Sequence, residues 1–295
     1  MNNSSNHRVT TTSAASFEFH SSYLPLFLSI CALEAFLGVI LNITVIFVIL
    51  RHRQLRELPS SVLVLNLATA DLFSSAIFLP FHALLVAKVH WITSTSNDIH
   101  RCLCVFISLS SAFSIQAITI DRYISVAYSL RYQVIVTPHK AKFGSALMWA
   151  MSVISSIAEF IAGRLTNVLA VYQTVLGTIL AATILVMFAL NVRMFSISRK
   201  QVRRICVQLS AVAGARKAAT RQLGLAKSAR KLGLILALYV LTFGPIFISK
   251  FVLYHGELES KEFYYWMLLV PLGTSCINPL VHAFWNRHFR QIMRM

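Results

Sequence analysis

Apolar residues fall along this chain in seven long, almost uncharged runs: Tyr23–Leu50, Leu58–Ala87, Cys102–Ile120, Phe143–Gly163, Leu165–Asn191, Leu232–Phe251 and Phe263–Phe284. Each reaches the roughly 18 or more residues that carry a helix across a bilayer. The pattern predicts an all-α membrane protein, a bundle of seven transmembrane helices. The fourth and fifth runs nearly touch. They are split at Gly163-Arg164 because the 49 residues from Phe143 to Asn191 far exceed one crossing, and an arginine at the break would otherwise sit in lipid.

The flanks differ in kind from the spans. Residues 1–22 are polar, rich in Ser, Thr and Asn, and lack the early apolar core of a cleaved signal peptide, so the first span is expected to be retained behind an extracellular tail. Asn2 and Asn3 open glycosylation triplets. Residues 23–284 form the seven-span domain. From Trp285 to Met295, Phe289, Ile292 and Met293 recur at helical spacing with Arg287, Arg290 and Arg294 on other faces, which predicts a short amphipathic helix on the inner leaflet. That segment has no cysteine for palmitoylation.

Composition agrees: 57% of the 295 residues are apolar and 13% charged, against about 45–50% and 25% in soluble domains. A soluble enzyme or DNA-binding domain is excluded. The net charge of +17 is a matter of position, since 21 of the 27 Lys and Arg flank the spans on one side and six on the other. By the positive-inside rule the N-terminus lies outside and the C-terminus in the cytoplasm. Membrane lipids, not nucleic acid, are the partners this basic charge implies, above all the eleven Lys and Arg between Arg193 and Lys231. The ten histidines are scattered with none at ligand spacing, no Gly-rich phosphate loop is present, and no catalytic pair stands out. Neither an enzyme nor an organic cofactor is expected.

Chemistry concentrates in a few intramembrane positions. Asp71 sits mid-span, where an unpaired carboxylate would cost at least a few kcal/mol, so it must face the interior with Ser111 and Asn278 as candidate partners. Two readings stand side by side: a hydrogen-bonded structural aspartate, or a cation site taking Na⁺ through Asp71, Ser111 and Asn278. Asp121-Arg122-Tyr123 closes the uncharged third span where a charged pair can meet a cytosolic partner. Pro245 and Pro279 each remove a helix hydrogen bond and create a hinge. Glu34 and Glu159 lie within spans one and four. Glu159, five residues from Arg164, is expected to reach the outer interface.

Taken in order, Asn42, Leu67-Ala-x-x-Asp71, Trp91, Asp121-Arg122-Tyr123, Trp149, Phe243-Gly-Pro245 and Asn278-Pro279 resemble the rhodopsin-like (class A) G-protein-coupled receptors over residues 23–294. A narrower similarity, to the melanocortin branch, rests on the run from Asp121 to Thr137, the nearly absent outer loop between spans four and five, and a fifth span without proline. Phe81, Asn97 and Arg101 stand where that branch carries its acidic ligand site, which disfavours a melanocortin peptide. Cys104 replaces the aspartate of amine receptors and Leu272 the retinal lysine, disfavouring both ligand classes. Asn97 also replaces a cysteine of the family's usual outer disulfide, so free Cys102 and Cys104 thiols are expected.

The resemblance implies an unidentified extracellular ligand, small and lipid-like or nucleoside-like rather than a peptide, in a pocket of Cys104, Val105, Ser108, Phe243, Phe247, Lys250 and Leu268. It implies coupling to a heterotrimeric G protein at the plasma membrane through Asp121, Arg122, Tyr123, Asn191, Pro245, Asn278, Pro279 and His282. His282 and Asn191 stand where tyrosines are usual, and Leu225 replaces the acidic residue that often restrains the arginine of the third span. With Arg122 held only by Asp121, appreciable basal signalling is expected. The rival class, a transporter or channel using Asp71, Glu34 and Glu159, predicts duplicated half-repeats that an odd count of spans does not provide.

Overall fold

A computed structural model describes residues 22–88, 93–165, 168–210 and 259–285. The elements are α1 (Leu24–Arg51), α2 (Arg53–Arg56), α3 (Pro59–Phe73) continuing through a π-turn (Ser74–Phe78) into α4 (Leu79–Val86), α5 (Ser94–Ala127), α6 (Tyr132–Ile135), α7 (Pro138–Ala162), α8 (Val168–Ser210) and α9 (Glu259–Trp285). Six of the seven expected spans fall among the described residues. The sixth span, the tail 1–21, Trp91, Leu225 and the segment 286–295 lie outside them.

The long helices pack one side against protein and leave apolar side chains exposed on the other. In α1 the buried residues Phe27, Cys31, Gly38, Asn42, Val45 and Ile49 recur at intervals of three, four or seven, one stripe of a 3.6-residue helix. Leu33, Phe36, Ile40 and Phe47 point outward and are exposed. In water such a face would be a liability, but within hydrocarbon it is the expected solvent contact.

The helix starts carry recognisable local signals. Pro25, Pro59 and Pro138 occupy first-turn positions of α1, α3 and α7, where the missing N–H has no intrahelical partner to lose. Thr93 caps α5 in a reciprocal arrangement with Ser96. In consequence the third span begins at Ser94, eight residues before the expected Cys102, and the charged Asp98 and Arg101 belong to the helix. The fifth helix likewise runs on to Ser210, well past the expected end at Asn191. Within the second span, Pro80 lacks an N–H and its ring crowds the preceding turn, and the chain widens into the π-turn just before it.

Two apolar clusters fill the bundle at its ends. The outer one joins Phe27 and Cys31 of α1, Phe78 and Leu79, Ile107 of α5, and Leu269 and Leu272 of α9. Val45, Val48, Ile49, Leu55 and Ala68 form the inner one. Between α5 and its neighbours apolar clusters alternate with polar contacts. Asn66 Nδ2 donates to Ser114 Oγ at 2.7 Å while its Oδ1 accepts from Trp149 Nε1 at 2.6 Å, so one side chain ties α3, α5 and α7 together. Above the outer cluster, His82 Nδ1 lies 2.9 Å from His100 Nε2, and both rings stack on Phe78.

Candidate functional site

Asp71 anchors the site. It is 1% exposed and accepts from Ser275 Oγ at 3.1 Å and Asn278 Nδ2 at 3.0 Å. Asn42 extends the layer, its amide donating to the Gly38 carbonyl at 2.8 Å and to the Ser275 carbonyl at 3.0 Å. Helices α1, α3 and α9 thus meet in one buried polar plane. In α9, Pro271 and Pro279 both interrupt the hydrogen-bond ladder, and Thr274 Oγ1 donates to the Pro271 carbonyl at 2.6 Å. Pro271 is a second break in the seventh span, one that the apolar pattern does not mark.

Above that plane a narrow cavity of about 40 Å³ opens between the π-turn, α5 and α9, space for roughly three waters. It is lined by hydroxyls from Ser74, Ser108, Ser111, Thr274 and Ser275, closed by Phe78, Cys104, Ile107, Leu268, Pro271 and Leu272. Of the residues expected to contact ligand, Cys104, Ser108 and Leu268 come together here. Val105 turns instead toward α8, packing on the cluster of Leu109, Leu180 and Met187. Phe243, Pro245, Phe247 and Lys250 lie outside the described residues. Ser111, expected as a partner of Asp71, lines the cavity and hydrogen-bonds to that carboxylate, and Ser275 adds a second hydroxyl. Helical spacing carries that signal: Ser275 precedes Asn278 by three residues and shares its face.

At the far end of the third span Asp121 is buried and accepts from Tyr132 Oη at 2.6 Å. Tyr132 belongs to α6, the short helix of the loop after the third span. Burial, reinforced by Asp121, holds the Tyr132 phenol well above its ordinary pKa. No ion pair within 4 Å joins Asp121 to Arg122 among the described residues. This corrects the expectation that Asp121 holds Arg122: the carboxylate is engaged by the loop, and Arg122 is half-buried. Tyr123 beside it is also half-buried. Asn191 donates to its own helix at the Met187 carbonyl, 2.9 Å. Pro279 lies one turn before His282, whose side chain is outside the described residues. Leu130 is 100% exposed and Val134 76%, both flanking Tyr132 in the same loop.

Glu159 also departs from expectation. Instead of reaching the interface it is 1% exposed, accepting from Gln173 Nε2 at 2.9 Å with Arg101 Nε 3.5 Å away. The four described cysteines, Cys31, Cys102, Cys104 and Cys276, form no disulfide.

Residues 41–282 match the family described as seven-transmembrane receptor (rhodopsin family). The chain belongs to that family. The receptor is 26% identical to human galanin receptor type 3, over 80% of its own length and 67% of the relative's. It is 27% identical to mouse trace amine-associated receptor 9, over 93% and 86%, and 28% to the dog histamine H2 receptor, over 84% and 73%. A transporter or enzyme is set aside. The receptor is a multi-pass membrane protein whose family couples extracellular ligands to G proteins.

Proposed function

We propose that this receptor senses a small, uncharged or weakly charged ligand, lipid-like or nucleoside-like, and transmits its binding to a heterotrimeric G protein through Arg122. The observation that carries the ligand class is the cavity lining. Its described walls are hydroxyls and hydrocarbon, with Cys104 where an amine receptor would hold a carboxylate. A buried ammonium without a counter-ion is costly. The names of the relatives point to peptide and amine ligands. Asp71, the acid nearest the cavity, is already engaged by Ser275 and Asn278, which leaves it poorly placed to hold an amine as well. The finer similarity to the melanocortin branch rests on the Asp121–Thr137 run and the short outer loop, and it too lacks an acidic ligand site here.

Within this reading the N-terminal tail (1–22) faces outward, and residues 285–295 lie as an amphipathic helix on the inner leaflet, as the Lys and Arg distribution supports. A ligand entering beside Cys104, Ser108 and Leu268 and reaching Phe243, Phe247 and Lys250 would favour the packing in which the sixth span opens at Pro245. Only a ligand that binds the two packings unequally can shift them. Opening exposes Arg122 to the G protein, with Leu130 and Val134 as apolar flanks. Asp71, Ser111, Ser275 and Asn278 would hold a Na⁺ ion: the donors are hard oxygens, as such a cation prefers, and Ser111 and Ser275 stand between Asp71 and a small, mostly apolar cavity. When bound, the ion supplies a fixed positive charge beside Asp71.

The test is a G-protein nucleotide-exchange assay on the receptor in lipid nanodiscs, run against lipid, nucleoside, amine and peptide panels. A lipid or nucleoside that accelerates exchange, with the response lost in Arg122→Ala, supports the proposal. An amine or peptide agonist would overturn the ligand class, and a response that survives Arg122→Ala would overturn the coupling route.

A further inference from the structure

We infer that the outer ends of the third, fourth and fifth spans are held in place by an ionic clamp centred on Arg101, closed on the buried carboxylate of Glu159. No cysteine lies in the segments joining spans two and three, four and five, or six and seven, and the described Cys31 and Cys102 form no disulfide. Some other contact must fix the wall that these helices form. Arg101 Nη2 meets Asp98 Oδ1 at 3.0 Å and Arg101 Nε approaches Glu159 Oε1 at 3.5 Å. Asp98 Oδ2 in turn takes Arg164 Nη2 at 3.1 Å, and the Arg164 guanidinium lies 4.8 Å above the Phe160 ring. Gln173 of α8 donates to Glu159 at 2.9 Å, Tyr172 to the Ser155 carbonyl at 2.7 Å, and Ser156 to the Cys102 carbonyl at 2.9 Å.

Three features make this assembly a clamp. Side-chain exposure falls inward from 57% at Arg164 through 33% at Arg101 and 20% at Asp98 to 1% at Glu159, so the innermost charge is sealed from water. Glu159 Oε2 and Arg101 Nε are both buried without a hydrogen-bond partner, so the two charges compensate each other at ion-pair range, and Arg101 is the cation within 4 Å of Glu159 among the described residues. Separating α5 from α7 would strand that carboxylate in a low-dielectric seam, and losing one partner of a buried pair costs far more than losing both. Finally, the Arg101 guanidinium rests on Gly163, where a Cβ would collide with Nη2. The residue that ends α7 is therefore a cradle for the hub of the network. Arg101 stands one turn above Cys104 and two above Ser108, both on the cavity wall. It acts as a positioning residue for that wall.

The test uses the full chain in native membranes, with the labelling rate of Cys102 by a membrane-impermeant maleimide read by mass spectrometry, together with thermal unfolding. The parent should unfold at the same temperature with and without dithiothreitol and label slowly. Arg101→Met and Gly163→Ala should each raise the Cys102 labelling rate about tenfold, because the guanidinium is removed in one and displaced in the other. The double variant Arg101→Met with Glu159→Leu removes both charges. It should regain most of the parent's thermal stability yet keep Cys102 at least fivefold faster, which a merely stabilising pair would not do. Parental labelling in the double variant, or a reductant-induced drop in the parent's unfolding temperature, would overturn the clamp. Should Arg101→Met fail to fold, the double variant and Asp98→Asn decide, the latter expected to label two- to threefold faster.

Discussion

The hydroxyl of Tyr132 donates to Asp121 Oδ1 at 2.6 Å, so the carboxylate beside Arg122 is spoken for by the loop after the third span. The raised pKa of the phenol fixes the pH behaviour of this contact. A tyrosine shifted upward contributes fully below its ordinary value of about 10 and loses the contact only as pH climbs through the shifted value. On the alkaline side the bond therefore persists well beyond physiological pH, while burial raises the pKa of Asp121 itself, so its charged acceptor is lost earlier than an ordinary carboxylate as pH falls. Tyr132→Phe releases Asp121, which is then free to pair with Arg122. Nucleotide exchange catalysed by the receptor should fall five- to tenfold, on the order of 1–1.4 kcal/mol, with no change in surface expression. An unchanged exchange rate would show that Asp121 leaves Arg122 alone.

Gly38 and Ser75 interlock the first two spans. A Cβ at residue 38 would overlap Ser75 Oγ and stand 2.8 Å from Ser75 Cβ. Gly38→Ala should lower stability by about 1–3 kcal/mol, the usual range for overpacking a filled site. Pairing it with Ser75→Gly should recover most of the loss. Thermal unfolding in one detergent, compared across the three variants, measures both effects.

Asn66 serves two helices at once, through Ser114 and Trp149. Asn66→Ala strands the Trp149 indole N–H in the seam, at a cost of about 1–3 kcal/mol, whereas Trp149→Phe removes the donor itself. The two changes should be strongly non-additive, the double variant losing less than the sum of the single ones because no indole N–H is left stranded. Additive losses in unfolding temperature would mean the contact contributes little.

Replacing Na⁺ by an organic cation in the medium should lower the unfolding temperature of the parent receptor. Asp71→Asn should be indifferent to that exchange, because it keeps the size of the side chain and loses its charge. At ten times the dissociation constant a bound ion contributes about 1.4 kcal/mol, enough to see. A parent indifferent to Na⁺ would return Asp71 to the hydrogen-bonded structural reading.

Much of this architecture is legible because the bilayer forces long apolar runs, and these mark the first two spans nearly to the residue, whereas α7 begins five residues before the expected Phe143. Asp71 declares itself by the cost of burying a carboxylate, and Asn278 is its partner. Legibility fails where charge and helix coincide. Asp98 and Arg101 look like loop residues, yet they sit in the first turns of α5 because Glu159 and Arg164 across the seam neutralise them. Glu159 escapes a local reading for the same reason, since its compensating cation comes from a helix more than fifty residues earlier in the chain. The facing of His82 and His100 depends on helix rotation, which no local pattern encodes.

The wide turn at Ser74–Phe78 makes the second span unusually intolerant of length change. One residue removed from the α-helical stretch before it would turn everything that follows, the wide turn included, by about 100° relative to the first span. His82 would swing away from His100, and Ser75 could no longer sit against Gly38. Natural variants of this receptor with a single-codon deletion inside the second span should therefore be retained in the secretory pathway, even when every side chain that remains is unaltered.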